Sequence, residues 1–360
     1  MLRFLILTAV ALACSACAST PDKMMLPVNS TADGTTQVPI LVVTTRQATP
    51  NNPGTMFSGE RGNTTSYAAV TVSVPPDAAR TIGQVQWPAS APGDPRRDFV
   101  TTAARYIDKT EFSSTIDTTA RSGRKRVLVF VHGFNNKFDE AVFRFAQIVH
   151  DSKSQAVPVL FTWPSRGELA LRAYTYDRES ANYSRDALEQ LLTTLSQDPN
   201  VAEINVVAHS MGNWLTMEAL RARSIQMASV PNRKGADKLK NIFLVAPDVD
   251  VDVFRSQIQR MGPYRPRTAL FVSRDDMALD ASKIIWGDIS RLGDININEE
   301  PYRSELARDH IVAFDLTKLK TPPGGDAHSR AFDDITNVMT MVEQRLPDEQ
   351  PSGPARANLQ

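Results

Sequence analysis

At 360 residues the chain is long enough to bury a large core in one large or two medium domains, and its 40 Lys plus Arg balance 40 Asp plus Glu. A formal net charge of zero removes the electrostatic case for a nucleic-acid partner. Cys14 and Cys17 are the only cysteines, so the body of the chain holds neither a disulfide framework nor a thiolate metal site.

The N-terminus reads as a targeting segment. Arg3 is followed by an apolar run from Phe4 to Ala13, too short to span a bilayer, and then by small residues up to Thr20. Small residues before a cysteine resemble a bacterial lipoprotein signal. Cys17, after Ser15 and Ala16, is the preferred lipidated residue, with Cys14 as the competing site; an ordinary secreted protein is the plainer alternative. Ala18 after the cysteine is similar to lipoproteins sorted to the outer membrane, which implies an envelope location facing the periplasm. The expected organisation is a signal over 1–17, a flexible tether over 18–37, one domain over 38–345 and a disordered tail over 346–360.

Val38–Thr45 and Tyr67–Val74 are the first strand candidates, separated by loop signals, and Pro75–Arg97 is proline-rich and irregular. These N-terminal strands are expected to be antiparallel at a sheet edge. From Arg126 apolar strands alternate with amphipathic helices. Strands are expected at Val127–Val131, Val157–Thr162, Ile204–Ala208, Ile242–Val245, Ala269–Val272 and Ile311–Phe314. Helices are expected at about 138–149, 181–195, from Met211, 251–258, 281–286 and 330–344. This is the pattern of an α/β fold with a mostly parallel sheet covered by helices on both faces. Ligands bind such a sheet beyond the carboxyl ends of its strands.

The stretch Ile204–Trp214, INVVAHSMGNW, runs from a strand through a sharp turn into a helix with Ser210 at the apex. A serine hydroxyl is a poor nucleophile. It needs exposure, a base and donors for a developing oxyanion, and the Met211 N–H at a helix N-terminus is one such donor. Ala208 and Gly212 are the small residues that let strand and helix pass closely. Sheet polarity then sorts the five histidines. His150 ends a helix and His310 begins a strand, both at the far edge. His209 packs beside the elbow, and His132 precedes Gly133 in a loop suited to presenting backbone N–H groups. His328, beyond the strand ending near Phe314, is the best general base. The acid is Asp276, then Asp275, then Asp248, each following a strand; helix capping or a solvated charge is the alternative for such residues.

Strand-HG, an elbow serine, then an acid and a histidine in that order resemble the α/β-hydrolase superfamily. FVHGFNNKFDEA, FTWPSRG, VVAHSMGNW, LVAPDVDVDVF and SRDDMAL followed by AHS are similar to one bacterial group within it, envelope hydrolase-like proteins largely of unknown function. The likeness runs from about Val38 to Gln344, with Ala208 departing from the usual first glycine. It implies Ser210, Asp276 and His328 as a triad and Phe134 as the second oxyanion N–H, with Asn135 a close alternative. His132, Asn135, Trp163 and Tyr176 are the candidate substrate contacts. Trp163, Ser165 and Glu168–Tyr183, including Tyr174 and Asp177, either roof the pocket or form a packed aromatic cluster. The implied activity is acyl transfer to water from a small-molecule or lipid-like acyl substrate, with a carboxylic ester as the default and thioester, amide and lactone as the open alternatives, and with no cofactor and no metal. The other class of function is a catalytically silent lipoprotein using the fold as a binding or scaffolding module.

Overall fold

The computed structural model describes residues 20–29, 32–230, 235, 237–279, 290–320, 327–335 and 337–338. The expected signal with Cys14 and Cys17, the helix at 281–286, the end of the last helix and the 346–360 tail lie outside the described residues. The strands are β1 (Thr36–Ala48), β2 (Phe57–Val74), β3 (Val100–Ile107), β4 (Arg126–Val131), β5 (Val157–Thr162), β6 (Glu203–His209), β7 (Leu239–Val245), β8 (Arg267–Val272) and β9 (Ile311–Asp315). They form one nine-stranded sheet in the order β3-β2-β1-β5-β4-β6-β7-β8-β9. β1, β2 and β3 pair antiparallel at one edge, and β1 turns the sheet parallel by pairing Leu41–Thr44 with Val159–Thr162 of β5. All remaining neighbours are parallel.

Alternation along the strands sorts side chains into two cores. Val127, Val129 and Val131 of β4 join Val159, Phe161, Val206 and Ala208 on one face, while Phe130 and Leu160 join the other. The first face is covered by α1 (Lys109–Arg121), α3 (Leu171–Gln197), α4 (Gly212–Ser229) and α5 (Val251–Met261). The second carries α2 (Phe138–Asp151) and α7 (Arg330–Asp333). A short α6 (Tyr302–Arg308) precedes β9. Every residue of β5 is buried, as a continuous apolar run between two helical layers requires. Among the described residues no helix is long and apolar enough to cross a membrane.

Two differences from the sequence reading concern the N-terminal third. β3 and α1 were not expected. Residues 18–37 are also not a tether throughout, because Met24 and Met25 are fully buried against the β1–β3 edge. The Met25 N–H donates to Gly54 O at 3.0 Å and the Val28 N–H to Thr101 O at 2.8 Å. Two large apolar side chains among Ser, Thr and Pro suffice to hold the segment down.

The order of the sheet reverses at β4, which has β5 on one side and β6 on the other. The crevice outside the carboxyl ends of β4 and β6 is where such a sheet takes a ligand.

Candidate active site

Ser210 follows β6 with φ 51°, a left-handed conformation that is strained for a residue bearing a Cβ and costs on the order of 1–3 kcal/mol. The surroundings over-determine it. Its N–H donates to Val245 O at 3.0 Å, and its carbonyl accepts from Asn213 Nδ2 at 3.0 Å and from the Asp248 N–H at 3.3 Å. Two glycines permit the crossing of loop and helix. A Cβ on Gly212 would lie 2.3 Å from His132 O, and one on Gly133 would lie 2.7 Å from the Ser210 Cβ. Ala208 is fully buried, so the methyl that replaces the usual glycine is accommodated.

His328 Nδ1 lies 2.7 Å from Asp276 Oδ2. Asp276 is buried, and its Oδ1 accepts the N–H groups of Ala278 at 3.0 Å and Leu279 at 3.3 Å. An acceptor so fixed selects the tautomer with the proton on Nδ1 and leaves Nε2 the basic nitrogen. The histidine is tied to the elbow through His209. The His209 Nε2–H donates to His328 O at 3.0 Å, and the two rings stand 4.7 Å apart. Burial and the neighbouring His328 push the His209 pKa well below the usual imidazole range, so it serves as a neutral donor.

The N–H groups of Met211 and Phe134 have no hydrogen-bond partner among the described residues. That of Asn135 faces Asp177 Oδ2 at 3.4 Å, which distinguishes Phe134 from its neighbour as a donor. Phe134 packs edge-on against Tyr174 at 5.2 Å, and the Tyr174 hydroxyl donates to Asp248 Oδ2 at 2.6 Å.

The other acids are engaged elsewhere. Asp275 pairs with Arg330 at 2.7 Å, which holds its carboxyl below the usual range. Asp248 faces Tyr174 and Arg291, and Asp250 caps α5 by accepting the Val253 N–H. His150 meets Asp77, and His310 is exposed before β9.

Of the four expected substrate contacts, His132 and Trp163 are fully buried, Tyr176 faces Glu60 and Asn135 faces Asp177. His132 is fully buried, with Nδ1 against Gly133 O at 2.9 Å and Nε2 accepting from the Trp163 N–H at 3.1 Å. Burial and the Arg46 guanidinium keep it neutral. Trp163 is also fully buried, stacks on His132 and donates its indole N–H to His132 O at 2.8 Å. These two rings are wedges beneath the loop. Tyr176 turns away toward the β1–β2 hairpin, where its hydroxyl lies 3.1 Å from Glu60. Asn135, at φ 57°, belongs to the loop's fold through Asp177.

Sequence reasoning missed Arg46. This buried guanidinium donates to Thr162 Oγ1 at 2.8 Å, Ser165 O at 3.0 Å and Asn136 O at 2.7 Å. Burial lowers its pKa to about 10, so it stays charged at neutral pH. Asp177 completes the clamp, accepting from Ser165 Oγ at 2.5 Å and the Arg166 N–H at 3.0 Å. In the sequence Arg46 is one polar residue among Thr44, Thr45 and Gln47 near the end of β1, and nothing there marks it out.

With fold and geometry in hand, the class of protein is clear: this is an α/β-hydrolase. Residues 108–345, more than half of the chain, match the family described as "Alpha/beta hydrolase of unknown function (DUF900)", and the chain belongs to it. Solved structures of similar fold include an uncharacterized protein from Bacillus cereus (8% identity, 67% of this chain and 61% of that chain, TM-score 0.37). Others are lipase B of Aspergillus fumigatus (12%, 59% and 50%, TM-score 0.36) and a putative cell surface hydrolase from Lactobacillus plantarum (12%, 64% and 94%, TM-score 0.35). The chain thus spans less than two thirds of the length of the first of these. No match is found among the curated proteins.

Proposed function

We propose that this hydrolase is a serine esterase of the bacterial cell envelope, held at the outer membrane by acylation of Cys17 and facing the periplasm. The observation that carries the catalytic part is the 2.7 Å pairing of His328 Nδ1 with buried Asp276, on a loop bonded to the residue beside the strained Ser210. His328 Nε2 takes the Ser210 proton as Oγ adds to the substrate carbonyl carbon. The N–H groups of Met211 and Phe134 receive the oxyanion, and Asp276 stabilises the imidazolium. Collapse breaks the ester bond, and His328 returns the proton to the leaving alcohol. A water, deprotonated in turn by His328, releases the carboxylic acid from the acyl-enzyme. An ester is the acyl substrate that asks least of this machinery.

A fluorophosphonate probe on the purified protein tests the reading. Labelling of the wild type that vanishes in Ser210→Ala is expected. An unlabelled wild type would leave the protein a silent binding module, and labelling that survives Ser210→Ala would put the nucleophile elsewhere.

A further inference from the structure

The three most exposed large apolar side chains among the described residues are Met277 (82%), Leu169 (77%) and Leu171 (62%). All three follow carboxyl ends of strands, Leu169 and Leu171 after β5 and Met277 after β8. Met277 is the neighbour of Asp276, and Leu171 lies one turn before Tyr174, the ring packed on Phe134. Strand polarity thus sets them at the same end of the sheet as Ser210, where folding alone gives no reason to expose them.

The N-terminal segment arrives at the same edge. Thr20 Oγ1 donates to Glu140 Oε1 at 2.7 Å, and Asp22 lies 3.7 Å from Lys137 Nζ, at the start of α2 just past the Phe134 loop. Gly167 packs on Lys137 so closely that a Cβ there would lie 2.6 Å from its Cγ. Contacts thus run without a break from Thr20 through Lys137 to the loop that carries Leu169. Cys17 precedes Thr20 by three residues, a reach of at most about 11 Å.

We propose that this edge of the sheet docks on the bilayer, with Leu169, Leu171 and Met277 entering the lipid and the Ser210 crevice opening against it. The proposal rests on the acyl anchor at Cys17 and names membrane-embedded acyl lipids as the substrate class of the esterase. Charges at this edge pair with one another, Arg172 with Glu168 at 3.5 Å and Arg166 with Glu60 at 3.2 Å. Docking is therefore driven by apolar insertion and survives added salt.

The test uses the full chain, produced in a bacterial host and reconstituted into phosphatidylcholine vesicles. With Cys17 acylated no thiol remains, so Leu169→Cys, Leu171→Cys and Met277→Cys each accept one environment-sensitive fluorophore. Val230→Cys and Tyr264→Cys, exposed at the opposite edge of the sheet, are the controls. A severalfold rise in emission with a blue shift, quenched by nitroxide lipids and unchanged by salt, is expected at positions 169, 171 and 277 only. Labels at these three that stay in water, or controls that respond equally, overturn the proposal. Labels at the three that become buried with rising protein concentration in the absence of lipid mean that a second copy covers this edge, which also overturns it. The mass of the N-terminal peptide reports acylation, and fluorophosphonate labelling reports the hydrolase reading. Failure of either is thus distinguished from failure of docking.

Discussion

Asp276 Oδ2 and His328 Nδ1, brought from 52 positions apart in sequence to 2.7 Å, are held by a loop whose two backbone N–H groups occupy the other carboxylate oxygen. Adjacent Asp275 instead pairs with Arg330. Two neighbouring acids thus serve different ends.

Exchanging each for its amide separates them. Asp276→Asn is expected to lower kcat by about 10³–10⁴-fold with little change in KM, because an amide no longer selects the tautomer. Asp275→Asn is expected to leave kcat within a few fold and to cost about 1–2 kcal/mol of stability at neutral pH, the carboxylate's partial exposure discounting the loss. Since Arg330 holds the Asp275 carboxyl below its usual range, that stability is present above the ordinary carboxylate pKa and is lost as pH falls. The kinetics of both variants with p-nitrophenyl esters, with chemical unfolding at neutral and acid pH, check the pair. Equal kinetic losses would mean the acid is misassigned.

Gly133 packs against Ser210, the proposed nucleophile. An added methyl would lie 2.7 Å from the Ser210 Cβ, so Gly133→Ala is expected to displace the loop that carries the Phe134 N–H. Loss of one oxyanion donor lowers kcat by about 10²–10³-fold. Ester kinetics alongside circular dichroism decide the matter, and a folded variant with native kcat would remove Phe134 from the oxyanion site.

Much of this was legible because the parallel half of the sheet obeys simple rules. Continuous apolar runs became β4 to β9, and strand polarity alone set His150 and His310 at the wrong edge. The antiparallel edge was harder. β3, VTTAARYI, mixes threonine and arginine into a half-exposed strand, so its alternation is weak. In α3, Tyr174 and Tyr176 were indistinguishable by composition. Positions two apart on a helix point about 200° apart, and the structure turns Tyr174 to Phe134 and Tyr176 to the hairpin. Arg46 and Asp177 were hidden for a different reason: a buried ion network is read from who surrounds it, and polar residues far apart in sequence do not announce their partners.

Arg46 is the polar centre beneath the loop proposed to carry the Phe134 oxyanion donor. Arg46→Met would strip Asn136 O, Ser165 O and Thr162 Oγ1 of their donor and leave buried Asp177 without its nearby cation. Such a loss is expected to cost about 3–5 kcal/mol. Arg46→Lys restores charge but not the fork and is expected to recover only part of it. Urea unfolding of the two variants measures this, and a loss below 1 kcal/mol in both would deny the network its role.

Asp139, in the first turn of α2, gives a pH dependence of opposite sign to that of Asp275. Burial, with Glu140 beside it, raises its pKa to about 6, whereas an unfolded aspartate titrates near 3.9. Between these values the folded state binds more protons than the unfolded one, so stability falls as pH rises through about 4 to 6. Above that window the buried carboxylate is a standing penalty. Asp139→Asn keeps an acceptor for the Glu140 N–H, which now bonds Asp139 Oδ1 at 3.0 Å, and removes the charge. The variant is expected to be more stable than the wild type by about 1–3 kcal/mol at pH ~7.5 and equal to it at pH ~4. Thermal unfolding of both proteins across that range is the measurement. A stability difference that does not change with pH would show that the Asp139 charge is not what the fold is working against.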